Sequence, residues 1–519
     1  MNKSIFKRKH IVPQYDTVNE AGGQAYKLSD KEALAQLAVT GTFNDVFYVS
    51  GEDQLDQMVE LAGRVDAGYL ANVAVYAAEN GLMKDAPAVL LAVLAMRSDA
   101  SNNLVRNVFN RVIRTGKMLS NLVAIFRSGA LGRNTIPRPV RRMINDLING
   151  RDPEWLWRAN IGVTDPSMGD IIKMTHPRGA APGTQDHAVR ELLLGRPVEN
   201  LNTLPDNIAD YENFKRARLE RRPGRRKVPN VPFRALTALD LTDGDWVQIA
   251  KDAPWTMTRM NLNTFERHGV FNVEGMTDLI ANRLANPELV EKAAVFPYQL
   301  LTTYKNTTGV PAKVRNALQD AMEIATRNVP ALKGKTAVIV DVSGSMGSAV
   351  TGYRPGATTT TTCLDVAALV AACIFRTSDD CKVIPVDTSV HQIDLNPRDS
   401  VMTIARQLAA FRGGGTALGE AFSAVDRDTD NVIIVSDNES WADHRWYRGS
   451  TTVAQGFAKL KKTAKMVCID IQPYTTTQAQ TGKRILNVGG FSDTVFTVMD
   501  QFLNRKGSWV DLIESTILD

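Results

Sequence analysis

The hydrophobic period changes once along this chain, near residue 335, and that change restricts the fold more than any other feature. Before it, from Ser29 to about residue 330, apolar side chains recur at three- and four-residue spacing, as a half-buried helix requires. Segments 54–80, 86–98, 103–128, 140–148 and 278–293 carry this pattern, and Ser29-Asp30-Lys31-Glu32 reads as a helix start. No alternating strand stands out in this half. Roughly a dozen helices are too many for one bundle, so a stacked-helix solenoid or ring is the expected packing, although no strict sequence repeat accompanies it. After residue 335 come TAVIVDV, CKVIPVD, NVIIVSD and KMVCIDI, each an apolar run with an acid at or near its end. Helical stretches 363–376, 400–411, 417–426 and 452–464 lie between or beside them. Such an alternation implies a parallel sheet covered on both faces, with a ligand site at the carboxyl ends of its strands. The expected fold is two-domain: an all-α helical-repeat ring over 1–330, then an α/β doubly wound domain over 331–519.

Asp341 and Asp437 both fall at such strand ends. In Asp341-Val342-Ser343-Gly344-Ser345 an extended backbone turns alternate residues the same way, so one carboxylate and two hydroxyls converge. Gly344 and Gly347 let the backbone turn there. Gly413-Gly414-Gly415 bring a second loop close, and Thr416 adds a hydroxyl at an expected helix start. A hard cation such as Mg²⁺ takes oxygen donors of this kind in octahedral array. DxSxS alone is a weak signal. DxSGS after a VIVD strand, then GGGT, then a strand-terminal Asp, resembles the metal motif (MIDAS) of the von Willebrand A family at Asp341, Ser343, Ser345, Thr416 and Asp437. With one carboxylate from each of two loops, the shell is short of anionic charge, and a partner's carboxylate or a phosphate is expected to complete it. The alternative is an A domain whose site serves only as a turn.

The net charge is +5, with 61 Lys and Arg against 56 Asp and Glu. From residue 331 onward there are 19 basic and 20 acidic residues, which leaves 42 against 36 in the first 330. Segment 106–142 holds Arg106, Arg111, Arg114, Lys117, Arg127, Arg133, Arg138, Arg141 and Arg142 and has no Asp or Glu. Trp155, Trp157 and Arg158 follow, then Lys173, His176 and Arg178. A further run, 215–227 (KRARLERRPGRRK), has eight cations and one acid. Clustered cations with nearby aromatics suit single-stranded nucleic acid, where phosphates are neutralised and bases stack. Solvated helix faces and a basic loop remain the alternative, with both tryptophans in the core and His176 a packing residue.

These pieces together resemble the Ro autoantigen proteins, a TROVE module followed by a von Willebrand A-like domain, of bacterial or phage type. The resemblance is carried by LSDKEALAQLAVTGTFNDVFYVSGEDQL (28–55), RTGKMLSNLVAIFRSGALGR (114–133), DIIKMTHPRG (170–179), FPYQLLTTYKN (296–306) and SDNES (436–440), and it covers nearly the whole chain. It implies a ring of HEAT-like repeats closed by the A domain, present as a monomer. It implies binding of small noncoding Y RNA on an outer basic face and of single-stranded 3′ ends of misfolded RNA in the central hole. It also implies an exoribonuclease tethered through RNA. The family's RNA contacts carry over to Lys117, Arg133, Arg141, Arg142, Lys173 and His176, and the same segments add Arg114, Arg138 and Arg178. Pro137 and Pro139 depart from the regular basic helix the family leads one to expect around Arg138, and segment 215–227 has no counterpart.

No Walker loop, GxSxG or HExxH occurs, and a two-metal nuclease needs more clustered acids than the metal motif supplies, so no catalytic activity is expected. Cys363, Cys373, Cys381 and Cys468 form no CxxC pair and read as buried free thiols of a cytoplasmic protein. There is no signal-peptide core and no apolar run long enough to span a membrane. The expected function is a noncoding-RNA-binding scaffold in RNA quality control or processing. The competing reading is a metal-dependent adhesion module whose A domain grips an acidic residue of a partner.

Overall fold

The computed structural model describes residues 14–516 and 518, except 164, 221–226, 294, 296, 308, 328, 354–360, 412, 442–450, 491–493 and 505–507. The helical half opens with α1 (Asp30–Thr40), α2 (Gly51–Arg64), α3 (Ala67–Glu79) and α4 (Ala86–Met96). It continues with α5 (Asn102–Val112), α6 (Gly116–Ser128), α7 (Arg138–Gly150), α8 (Pro153–Asn160) and α9 (Met168–Thr175), and further helices run on to Ala312–Ala325. Ser29 caps α1 with a full capping box through Glu32, as its sequence indicates. Two long helical patterns are each divided by a capping residue. Asp66 starts α3 inside 54–80, and Thr115 starts α6 inside 103–128. Likewise Pro287 opens a separate helix inside 278–293. Apolar periodicity runs on through such breaks because both helices of a pair bury the same kind of face.

Two short strands precede the helices of the first half, which is otherwise helical as expected. β1 (Thr17–Val18) and β2 (Gln24–Lys27) form an antiparallel pair. These strands are too short to show a period of two.

The second half is a five-stranded parallel sheet of β3 (Thr336–Asp341), β4 (Cys381–Val386), β5 (Asn431–Ser436), β6 (Lys465–Asp470) and β8 (Ile485–Gly489), in the order β4-β3-β5-β6-β8. The chain runs from β3 outward to β4, then returns to β5 on the other side of β3. That reversal places a topological switch point at the carboxyl ends of β3 and β5. Both faces are covered. Val338 and Val340 point into one core, and Ala337 and Ile339 into the other. The first of these cores is continuous with that of the helical array. Cys363, Cys373 and Cys468 are buried, Cys381 is partly buried, and all four are free thiols.

The array meets the A-like half at both of its ends. At the first, β2 pairs with β7 (Thr476–Thr477), and the helix Trp509–Glu514 packs on α3, where Trp509 Nε1 donates to the Tyr76 hydroxyl at 3.2 Å. At the last, Lys305 Nζ lies 2.7 Å from Asp365 Oδ2. There Glu323 accepts from the Val401 N–H at 2.8 Å, capping the helix Val401–Leu408 from the other half of the molecule. The packed helices thus leave the parallel-sheet half and return to it.

Candidate functional site

Asp341 ends β3 and Asp437 follows β5, so the central strands deliver both acids to the switch point. The Asp341 carboxylate accepts from the Ser343 N–H at 2.9 Å and from the Ser436 hydroxyl at 2.6 Å. Ser343 Oγ and Ser345 Oγ lie 3.3 Å apart, and Ser345 also hydrogen-bonds Asp437. The glycine loop is held against this turn by Gly344 N–H donating to Gly414 O at 3.2 Å. Gly414 has φ +72, and a Cβ there would sit 2.9 Å from Asp387, so only glycine suits the position. Thr416 is 1% exposed, but it leads into the 3-10 turn Leu418–Ser423 and not the α-helix its sequence suggested.

Sequence reasoning missed the charge density of this site. Glu439 and Asp470 are buried beside Asp437, so four carboxylates gather where two were expected. Glu439 accepts from the Ala21 N–H at 2.9 Å, while its other oxygen is buried without a partner. Asp470 is held by the Gln472 N–H and Asn438 Nδ2, both at 3.2 Å. Burial raises the pKa of all four, and repulsion from Asp437 adds to it at Asp341, Glu439 and Asp470: Asp341 is pushed up to about 7 and Glu439 to about 8. Among the described residues no Lys, Arg or His forms an ion pair with any of them. Nor do the described residues include three or more His, Cys, Asp or Glu placed to hold an ion unaided, so a cation here relies on the hydroxyls. Buried anions without a counter-charge, faced by hydroxyl oxygens, fit a hard divalent ion.

The basic residues form a second constellation. Pro137 and Pro139 do not disrupt the helix around Arg138. Pro137 is the N-cap of α7 and Pro139 occupies its first turn, where a missing N–H costs nothing. Arg138, Arg141 and Arg142 are exposed within the first two turns of α7. α9 packs against both α6 and α7, and Asn145 Nδ2 of α7 donates to Thr175 O at 3.0 Å at the end of α9. This contact brings Lys173 and His176 close to the α7 arginines. His176 is exposed, with φ +52, and ends α9 as a left-handed cap, so it is not a packing histidine. Lys117 is exposed at the start of α6, Arg133 is exposed in the α6–α7 loop and bonds Thr135, and Arg178 is exposed past α9. Arg114 differs: with Arg111 it is ion-paired to Glu79, which the sequence separates from it by 35 residues. Trp157 is core, packed edge-on against Tyr211, while Trp155 is partly exposed under Arg151. Of segment 215–227, residues 221–226 lie outside the described residues.

A family model described as the Ro60 vWA domain matches residues 335–503. The crystal structure of the Deinococcus radiodurans RO (RSR) protein superposes with a TM-score of 0.63, covering 92% of this chain and 99% of that one at 20% identity. The two chains share a fold over nearly their whole length. In sequence the chain is 23% identical to the RNA-binding protein RO60 of Deinococcus radiodurans, over 93% of this chain and 94% of the relative. The matched residues begin at 335, where the hydrophobic period changes, and the structural superposition extends over the helical array before them.

Proposed function

We propose that this Ro-type chain is an RNA-binding ribonucleoprotein scaffold, which carries RNA on the exposed cations of α6, α7 and α9. The observation that carries this reading is that contact between α7 and α9. It gathers Arg138, Arg141, Arg142, Lys173 and His176 in one neighbourhood where, among the described residues, none has a carboxylate ion-pair partner. The name of the Deinococcus relative supports it. The RNA class is a small structured Y-like noncoding RNA together with single-stranded ends of misfolded RNA, bound by a monomeric ring in the cytoplasm, with an exoribonuclease tethered through the RNA. Phosphate contacts of this kind are sequence-tolerant and strongly salt-dependent. The role is binding rather than catalysis. Replacing Lys173 and His176 together by Ala weakens RNA binding several-fold while leaving the fold intact. A gel shift at moderate salt with unchanged affinity counts against the assignment.

Asp341, Ser343, Ser345, Thr416 and Asp437 would hold a divalent cation, Mg²⁺ on the hardness of their oxygens. When bound, the ion supplies a positive charge that accepts an external carboxylate or phosphate. This makes the metal site an interface separate from the RNA surface, and the adhesion reading describes that part of the molecule.

A further inference from the structure

Each of the five metal donors is at most 5% exposed, so an external ligand has no direct approach to them. Part of the cover comes from the helical half. The connection between α1 and α2 lays Tyr48 against Ser345, within the field of Asp437, Glu439 and Asp341, and edge-on to Tyr474 at 5.8 Å. The same connection is fastened to the A-like half just beyond the metal-binding turn. Thr42 Oγ1 and Asn44 Nδ2 donate to Thr351 O at 2.8 and 2.7 Å, and the Tyr353 N–H donates to Asp45 O at 2.6 Å. A Cβ on Gly352 would lie 2.8 Å from that of Asn44, so the two backbones are closely apposed. Phe43 is held at φ +53, a conformation that costs a non-glycine residue about 1 kcal/mol or more, and Asn438 beside Asp437 is held at φ +63. Asn438 directly follows Asp437, and Phe43 lies within the fastened connection. Phe47, next to Tyr48, stays 57% exposed while Val49 is buried, so the connection is seated on the site by Tyr48, by Val49 and by its hydrogen-bonded anchors.

We propose that segment 42–50 is an autoinhibitory lid on the metal site, in which Tyr48 occupies the approach of an external acidic ligand. The proposal rests on the reading of that site as a metal centre. A carboxylate ligand reaches the ion only when Tyr48 lifts, and lifting it pulls on the anchors at Thr351 and Tyr353. Ligation therefore loosens the seam between α1–α2 and the A-like half, and loosening the seam promotes ligation by the same factor. The apparent affinity for the acid equals its intrinsic affinity reduced by the fraction of molecules with the lid open.

The test uses the full chain loaded with Mn²⁺, with water-proton relaxation reporting exchangeable water on the ion and acetate as the acidic probe. The wild type shows low relaxivity and weak acetate binding. Tyr48→Ala raises relaxivity and tightens acetate binding about tenfold. Asn44→Ala, which releases an anchor away from the ion, moves both readings in the same direction and guards against misfolding of the first variant. Acetate also speeds hydrogen exchange in segments 42–50 and 349–353 of the wild type. Equal relaxivity and equal acetate affinity in all three proteins overturn the lid. A wild-type chain that binds no Mn²⁺ overturns the metal reading itself, and the lid with it.

Discussion

Glu439 and Asp341 carry their protons to higher pH in the folded chain than in the unfolded one: Glu439 from 4.5 to about 8, Asp341 from 3.8 to about 7. A carboxyl whose folded pKa is raised holds more protons in the folded state across that interval, so its stabilising contribution is present at low pH and lost as pH rises. Without divalent ions the melting temperature should therefore fall between about pH 5 and pH 8 through these groups, and excess Mg²⁺ should oppose the fall because it binds the deprotonated form. A Mg²⁺ stabilisation that does not grow with pH in a thermal scan contradicts this account. Asp341→Ala should abolish the Mg²⁺ effect. At this scale the five residues proposed to hold the ion stood out in the sequence because each signal is local, a carboxylate or hydroxyl at two-residue spacing or at a strand end. Tyr48 was not legible, since 293 residues separate it from Asp341 and only the fold brings them together, whereas Asp470 stood at the end of KMVCIDI without any sign that it is buried beside Asp437. Glu439 stood within the recognised SDNES string, but nothing in the string shows that it is buried.

Among the elements, α6 depends on one small residue. Gly116 begins it, and a Cβ there would lie 1.9 Å from Ala159 O at the end of α8. Gly116→Ala should destabilise the chain by about 1–3 kcal/mol, measured by denaturant unfolding, because backbone must shift to admit the methyl group. It should weaken RNA binding as well, by displacing Lys117. The neighbouring cap is milder: Thr115→Ala loses the hydrogen bond to the Met118 N–H and costs about 1 kcal/mol. Helix existence was legible from periodicity, whereas helix ends were set by Asp66, Thr115 and Pro287, whose capping role shows only once the neighbouring helices are in place. The Ro resemblance led to a more regular basic helix than Pro137 and Pro139 suggest, yet these residues start α7 and fix where its arginines fall. The ion pair of Arg114 was not legible in the acid-free segment, because its partner Glu79 lies outside that segment on α3.

The molecule as a whole is closed by contacts that no local pattern encodes. β1 and β2 reach β7 across some 450 residues of sequence, and Trp509 fills a site on α3. Trp509→Ala removes a residue 3% exposed and its bond to Tyr76, and should cost about 3–5 kcal/mol in global unfolding. Because one apolar core runs through both halves, they should melt together, in a single transition by calorimetry. Closure of the array holds the α6, α7 and α9 cations in fixed relation to one another, the surface proposed to bind RNA. The most direct test titrates a fluorescent RNA with a structured stem and a single-stranded 3′ tail against the wild type and against the triple variant Arg141→Ala, Arg142→Ala, Lys173→Ala, at several salt concentrations. The account predicts tight, salt-sensitive binding by the wild type. For the triple variant it predicts an affinity lower by at least tenfold, with the salt slope reduced by about 0.7 for each phosphate that is no longer neutralised. Equal affinities and equal salt slopes for the two proteins would contradict it.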